Sequence, residues 1–431
     1  MEPVNRRKII VAGMIGNALE WYDFSVYGYF VSAIGEHFFP RENHTAQLLA
    51  AFGVFAIGYL MRPIGGAVVG HIGDRLGRRA ALTFSVAAMA IPTFLIGLLP
   101  GYAMLGFAAP VLFTLLRMMQ GLSTGGEYTS SLVFLVERAP PERRGLTASF
   151  GPFGAIIGIL FGSSMGWLFA AVLSPEALAD WGWRIPFLLG LAVGLAGFFL
   201  RRSMPELPKA EQHGRAPLAG VFRDHWRLLI KLAAFSVFNG VGFYITFVYV
   251  ASWLQSVDHM TLSRALEINT ISMCLMLPMF LVSAWLSDRY GRKRVLLAAT
   301  LAGLFGAVLL FLLMEHPTLM LALLGQVGLT LIVAGFIGTQ AAAMVEIAPS
   351  RVRCTAVGIG YNITLGTIGG MTPLAATWLV QRTGDELAPA FLIMAAAVIT
   401  LLAILRLPET SEARLSKQAT AGEPARLAQA G

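Results

Sequence analysis

Charge is what this 431-residue sequence has least of: Asp, Glu, Lys and Arg together make up 13% of it, against 56% hydrophobic residues. A soluble domain carries about twice that share of charge, so composition alone excludes one. Cysteine is scarcer still. Cys274 falls in the eighth apolar stretch and Cys354 at the start of the eleventh, which argues against a disulfide. His37, His44, His71, His213, His225, His259 and His316 all fall in polar breaks or at the ends of apolar stretches. No metal site and no histidine-based chemistry is expected from them. No G-x-x-x-x-G-K-[ST] phosphate loop occurs, so an ATP-driven engine is excluded, and no cofactor is expected beyond a proton gradient.

What is present is a succession of apolar windows about 20 residues long, the length a helix needs to cross roughly 30 Å of hydrocarbon. Twelve are expected, over 10–35, 48–72, 80–99, 104–136, 146–173, 184–201, 228–254, 264–286, 294–314, 318–345, 355–380 and 388–407. The first is too long for the core of a signal peptide and reads as a retained helix.

The net charge of +8 is distributed by side rather than gathered into a nucleic-acid surface. Of the 32 Lys and Arg, 26 lie in the even-numbered breaks and the two termini. Arg41, Arg184, Arg264 and Arg382 lie on the opposite side, and Arg62 and Arg117 fall within spans. The positive-inside rule then places both termini in the cytoplasm. The expected partners are a lipid bilayer, a small-molecule substrate and a proton, with no nucleic acid, and the chain is expected to act as a monomer.

A repeat organises the spans. "GHIGDRLGRRAALTFSVA" from residue 70 returns as "AWLSDRYGRKRVLLAATLA" from residue 284, so Asp74 maps onto Asp288, and "VERAPPERRG" is echoed by "VEIAPSRVRC". Between the copies, 202–227 holds three prolines and mixed charge and reads as a cytoplasmic linker. The expected organisation is a six-helix half over 1–201, the linker, a second half over 228–407 and a short cytoplasmic tail over 408–431. An all-α membrane protein of twelve transmembrane helices in two pseudo-symmetric halves is the architecture of a rocker-type secondary transporter.

The loop "GDRLGRR", its echo "SDRYGRK" and "RMMQG" resemble signatures of the major facilitator superfamily. "GNALEWYDFSVYGYF", "MRPIGGAVVGHIGDRLGRR", "GLSTGGEY", "DWGWRIPF" and "GGMTP" are similar to the metabolite:proton symporters within it, the family of citrate, alpha-ketoglutarate, shikimate and proline/betaine transporters. The resemblance reaches to about residue 410. It implies alternating access in a bacterial inner membrane, a cytoplasmic gate at the repeated loop, and roles for Arg117 and Gln120 in coupling or substrate binding.

The residues point the same way. Asn17, Glu20, Asp23 and Tyr27 share one face of the first span by their spacing of three to four. An acid at bilayer depth costs on the order of 2.5–3.5 kcal/mol and is usually functional. Asp23 and Glu20 are therefore the expected proton carriers, with Glu127 a third candidate. In the fourth span Arg117, Gln120, Thr124, Glu127 or Tyr128, and Ser131 again share a face. Arg117 is expected to be the one cation deep in the membrane, answering either an acid of the first span or a substrate carboxylate. Arg62 is left between two readings, reaching to the cytoplasm or joining a vestibule. Asn17, Tyr22, Gln120 and Tyr128 in the first half, and Asn239, Tyr244, Gln340, Tyr361 and Asn362 in the second, are the expected substrate contacts. Asp74, Arg75, Gly77, Arg78, Asp288, Arg289 and Arg292 are expected to form the gate.

Gly121, Ser123 and Gly125 match the G-x-S-x-G of a hydrolase, but that motif needs a strand-to-helix turn and a histidine base, and neither is available. An enzyme is not expected, and a channel or sensor has no use for a duplicated gate loop with buried acids. The expected function is proton-coupled import of a small carboxylate-bearing organic acid. Uptake of a zwitterionic osmolyte such as proline or betaine is the alternative, favoured by "STGGEYT" and by the aromatic rings of Trp21, Tyr22, Tyr244, Tyr249 and Trp253. The tail has no sustained heptad, unlike the long coiled coil of osmosensing members.

Overall fold

A computed structural model describes residues 6–40, 44–202, 217–256, 260–316 and 318–411. Most of the expected linker, and the tail beyond Ser411, lie outside the described residues. All regular structure among the described residues is helical, and it falls into twelve passes. Several of these passes are broken into separate helices. In chain order the helices used below are α1 (Arg6–Tyr29), α2 (His44–Leu60), α3 (Arg62–Arg75), α4 (Arg78–Leu98), α5 (Ala108–Arg138), α6 (Phe150–Val172) and α7 (Arg184–Arg202). The remainder are α8 (Trp226–Tyr244), α9 (Leu262–Tyr290), α10 (Arg292–Met314), α11 (Leu319–Ile347), α12 (Arg353–Ile363), α13 (Gly370–Thr383) and α14 (Ala388–Leu405).

Ten helical stretches among the described residues are long and apolar enough to span a membrane by length and composition. The passes that fall short are the first and fourth, α1 and α5, which carry Glu20 and Asp23, and Arg117 and Glu127. Their shortfall in hydropathy comes from the same side chains that build the site. The ninth span begins at Arg292 and the eighth runs on to Tyr290, past the hydrophobic windows, because the charged residues of the repeated loop continue the helices.

The chain packs as two compact units. The first comprises Met1–Phe134, Gly151–Leu229 and Ser350–Gly366, and the second Leu135–Phe150, Ile230–Pro349 and Thr367–Gly431. In the first unit, α1 is seated by glycine. Gly154, Gly158, Gly162 and Gly166 recur every fourth residue along α6, and a Cβ on them would run into Met14, Ala18, Tyr22 with Ser25, and Tyr29 of α1. That stripe of small residues brings the two helices to backbone contact. Toward its far end α1 joins an aromatic cluster with Phe38, Phe113, Trp183 and Phe187.

The repeated loops close each unit with the same device. In the first unit Asp74 accepts hydrogen bonds from the Cys354 and Thr355 amides at 3.1 and 2.8 Å, from the Thr355 hydroxyl at 2.7 Å and from Arg78 Nη1 at 2.8 Å. It therefore caps the N-terminus of α12, where first-turn amides have no partner in the helix. In the second unit Asp288 accepts from the Gly145 and Leu146 amides at 2.9 and 2.8 Å and from Arg292 Nη1 at 2.7 Å. Gly77 and Gly291 begin α4 and α10 with φ of 105° and 100°, a region that a side chain would strain. Arg292 also reaches Glu346 at 3.1 Å, and Glu409 caps α10 by accepting from the Arg292 amide at 2.8 Å. Arg75 and Arg289 are exposed. Asp74→Ala is expected to cost about 1–2 kcal/mol of local stability, so amide exchange at residues 354 and 355 should rise roughly 5- to 30-fold. Hydrogen-exchange mass spectrometry reads this directly, and unchanged exchange would remove the cap.

Candidate functional site

The polar stripe of α1 is fully buried: Asn17, Glu20 and Asp23 are each 0% exposed. Asn17 donates to Ser131 Oγ at 2.8 Å and ties α1 to α5. Asp23 is saturated. Its Oδ2 accepts from Arg117 Nη1 at 2.6 Å, its Oδ1 accepts from Gln120 Nε2 at 2.9 Å, and the Thr93 hydroxyl lies 2.9 Å from the same oxygen. The Arg117 guanidinium also donates to Gln120 Oε1 at 2.6 Å and lies over the Tyr27 ring at 3.9 Å. Spacing of three along α5 places Arg117 and Gln120 so that both reach the same carboxylate. The hydroxyl of Thr93, next to Pro92 in α4, completes the shell. It was absent from the expected site, although a threonine beside a proline inside a span is the pattern that satisfies a broken helix.

Glu20 is built differently. Its nearest cation is Arg62, with Nη1 to Oε1 at 3.8 Å, and neither of its oxygens accepts a hydrogen bond. Arg62 is 1% exposed, so Arg117 is not the one buried arginine of the first spans. Met61, between α2 and α3, keeps helical dihedrals of −75° and −12° and its amide bond to the Ile57 carbonyl, so the pass runs on through Arg62. It does so although Pro63 in the first turn of α3 cannot donate back to the Tyr59 carbonyl. Its Nε donates to Asn362 Oδ1 at 3.2 Å, and Asn362 in turn donates to the Gly358 carbonyl at 2.8 Å and to the Gly125 carbonyl. Tyr59 lies 5.4 Å beneath the guanidinium, and Tyr128 stacks on Tyr361 at 5.0 Å.

The remaining expected residues divide. Glu127 is buried beside Glu20 in the first unit. Among the described residues, helices α1 to α5 thus bury three acids, Glu20, Asp23 and Glu127, against two arginines, Arg62 and Arg117. Tyr22 is taken up by packing: its hydroxyl donates to the Pro186 carbonyl at 2.7 Å and its ring meets Phe161. In the second unit Asn239 donates to Gln340 Oε1 at 2.7 Å, and Gln340 donates to Ser236 Oγ at 3.2 Å. Tyr244 is buried against Gly369 and opens a π-helical turn over Ile245–Tyr249. Such turns inside α-helices often mark functional positions. Ser123 of the G-x-S-x-G match lies in mid-helix, donating to the Ser85 carbonyl at 2.8 Å, with no strand-to-helix elbow around it.

A twelve-pass helical bundle with buried, paired charges and a duplicated capped loop defines a secondary-transporter scaffold. The Major Facilitator Superfamily model matches residues 13–371 and, in a second match, 267–430, and the chain belongs to that family. A glycine betaine/proline/ectoine/pipecolic acid transporter of Dickeya dadantii is 36% identical over 420 residues, covering 94% of this chain and 84% of the relative. A proline/betaine transporter of Salmonella typhimurium is 34% identical over the same shares. Among solved structures, the proton:xylose symporter bound to 6-bromo-6-deoxy-D-glucose superposes with a TM-score of 0.79 at 20% identity, covering 96% of this chain and 99% of that one. That likeness speaks to the fold.

Proposed function

We propose that the chain is a proton-coupled symporter that takes up a small zwitterionic osmolyte such as proline or glycine betaine. It works as a monomer in the bacterial inner membrane with both termini cytoplasmic. The observation that carries the substrate class is the 36% identity, across 94% of the chain, to a transporter named for betaine, proline, ectoine and pipecolic acid. The same relatives favour the osmolyte, first weighed as the alternative, over the organic acid first expected.

Coupling is supported by charge. Three buried acids facing two buried arginines leave one negative charge in excess, and a charge left uncompensated away from water is expensive. One bound proton balances the set, which suits a stoichiometry of one. Uptake of that proton from outside loosens an ion pair of α1, the substrate carboxylate takes its place, and the halves exchange access. Asp74 and Asp288 serve as the cytoplasmic gate, their caps holding while the site faces outward and parting when it faces inward. The second half contributes neutral contacts, with Asn239, Gln340 and Tyr244 the candidates.

Reconstituted protein should accumulate radiolabelled proline or betaine when the outside is made acidic, and a protonophore should collapse that accumulation. Uptake indifferent to the gradient would falsify symport. A preference for dicarboxylates over both zwitterions would return the organic-acid reading.

A further inference from the structure

We infer that the second half holds a subsite for the N–H groups of a substrate ammonium, built from Gln326, Asn269, Thr246 and Ser272 around the π-helical turn at Ile245–Tyr249. This rests on the reading that the chain takes up a zwitterion, and it divides that class: proline-like substrates carry N–H groups and glycine betaine carries none. The position follows from the duplication. The offset that carries Glu137 onto Glu346 carries Arg117 onto Gln326 and Ser131 onto Gln340, and the one that carries Asn17 onto Asn239 carries Asp23 onto Ile245. The contacts obey the same offsets. Asn17 donates to Ser131 in the first half, and Asn239 donates to Gln340 in the second. Arg117 reaches Asp23, and Gln326 Nε2 donates to the Thr246 carbonyl at 2.6 Å, one residue beyond Ile245. The second half therefore repeats the buried pair of the first with both charges removed.

Hydrogen bonding fixes which atoms are left to bind. Gln326 and Asn269 each stand about two turns into their helices, α11 and α9, and so lie at one level of the second unit. At that level Asn269 Nδ2 donates to the Phe247 carbonyl at 3.2 Å, next to the Thr246 carbonyl that Gln326 holds. Because a carbonyl can only accept, each amide must turn its nitrogen to the π turn and its oxygen away from it. Gln326 Oε1, Asn269 Oδ1, Thr246 Oγ1 and Ser272 Oγ, the last one turn from Asn269 on α9, are buried atoms with no hydrogen-bond partner among the described residues. Gln326 is 1% exposed, and Thr246 and Ser272 are fully buried. An unpaired buried acceptor costs more than a paired one gains, so the cluster selects for whatever brings donors to it.

Oxygens of this kind define the ligand. The two amide oxygens can only accept, which excludes a carboxylate, and the methyl groups of a quaternary nitrogen offer them only weak C–H contacts. A protonated primary or secondary amine supplies two or three N–H donors on one charged atom. An inorganic cation would bring an uncompensated charge, since Glu267, the acid nearest to Asn269 in sequence, is exposed. A zwitterion carries its own counter-charge. Of the rings expected to hold a quaternary nitrogen, Trp253 is fully buried, donates through Nε1 to the Glu386 carbonyl at 2.9 Å and packs on Phe311. It is committed to the fold, as Tyr22 is by its bond to the Pro186 carbonyl.

The test measures binding to the purified full chain in nanodiscs by calorimetry. The probes are L-proline, N-methyl-L-proline and N,N-dimethyl-L-proline, which lose one N–H at a time while keeping the ring and the carboxylate. Wild-type affinity should fall by about tenfold for each N–H lost. Gln326→Leu should weaken L-proline by about tenfold or more while the dimethyl compound changes little, so that the series flattens. Thr246→Val keeps the shape, removes one hydroxyl and should flatten the series in part, and it serves if the leucine variant does not fold. If wild type binds all three probes alike, the zwitterion reading stands and the subsite falls. The subsite also falls if the folded variants keep the wild-type ratio of L-proline to the dimethyl compound. Binding heat from sodium chloride that Gln326→Leu abolishes would make the cluster a metal-ion site and overturn the inference. If succinate binds and no zwitterion does, the osmolyte reading fails, and pyrrolidine against N,N-dimethylpyrrolidinium decides the subsite. It stands if wild type prefers pyrrolidine and Gln326→Leu removes that preference, and it falls otherwise.

Discussion

Asp23→Asn is expected to lower proton-driven uptake by about 100-fold or more and to destabilise the protein, because breaking a buried ion pair by removing one partner costs about 3–5 kcal/mol. The substitution keeps the shape of the side chain and removes its charge. Arg117, 3% exposed and held by Asp23 at 2.6 Å, would keep at most a neutral hydrogen bond to the asparagine carbonyl beside Gln120 Oε1 and the face of Tyr27, while the new amide NH2 would face a donor. A cation–π contact is worth roughly 2 kcal/mol at best when desolvated, which does not offset the loss. The decisive comparison is with the double variant Asp23→Asn, Arg117→Gln, which removes both charges. Thermal unfolding in detergent should recover toward wild type in the double variant, while uptake of betaine should not, if the pair works in transport rather than only in packing. Recovery of both would reduce the pair to a structural one, and an Asp23→Asn protein with normal uptake would remove it from the mechanism.

Gly125→Ala should be the most damaging single methyl in the first unit. A Cβ there meets the Arg62 carbonyl and lies 2.7 Å from the Gly66 nitrogen, so backbone, not a movable side chain, must give way. Overpacking of that kind costs about 1–3 kcal/mol. It would also push α5 from α3 at the residue that carries the guanidinium. Loss of uptake should therefore exceed what the fall in thermal midpoint alone explains. Gly28→Ala is the matched control, since nothing lies within 4 Å of a Cβ at that position on α1. Alanine is favoured over glycine in a helix by about 0.8–1.0 kcal/mol, so this variant should be neutral or slightly stabilised. Equal behaviour of the two variants, read by fluorescence-monitored unfolding and uptake, would contradict the close approach.

The helical passes and the acidic stripe were legible because both are periodic: apolar windows report spans, and Asn17, Glu20 and Asp23 repeat at helical spacing. The duplicated loop was legible because Asp74 and Asp288 keep their neighbours. Partner choice was legible only in part: Arg117 was expected to answer an acid of the first span and meets Asp23, but the pairing of Glu20 with Arg62 was not read. Glu20 meets Arg62 and Asp23 meets Arg117 across 42 and 94 residues of sequence, distances over which no local pattern operates. For Arg62 the sequence leaves the cytoplasm and a vestibule both open, because its place eight residues before the loop does not decide. Its burial and its contact with Asn362, 300 residues away, are what local sequence could not supply. Tyr22 erred the other way: it shares the sequence neighbourhood of the stripe, yet its hydroxyl is taken by the Pro186 carbonyl.

The two capping aspartates are exchanged along the sequence. Asp74 stands in the first copy of the repeat and caps residues 354 and 355, which follow the second. Asp288 stands in the second copy and caps residues 145 and 146, which follow the first. Each copy therefore spends its acid on a helix start that follows the other copy, so the capping of each compact unit draws on both ends of the repeat.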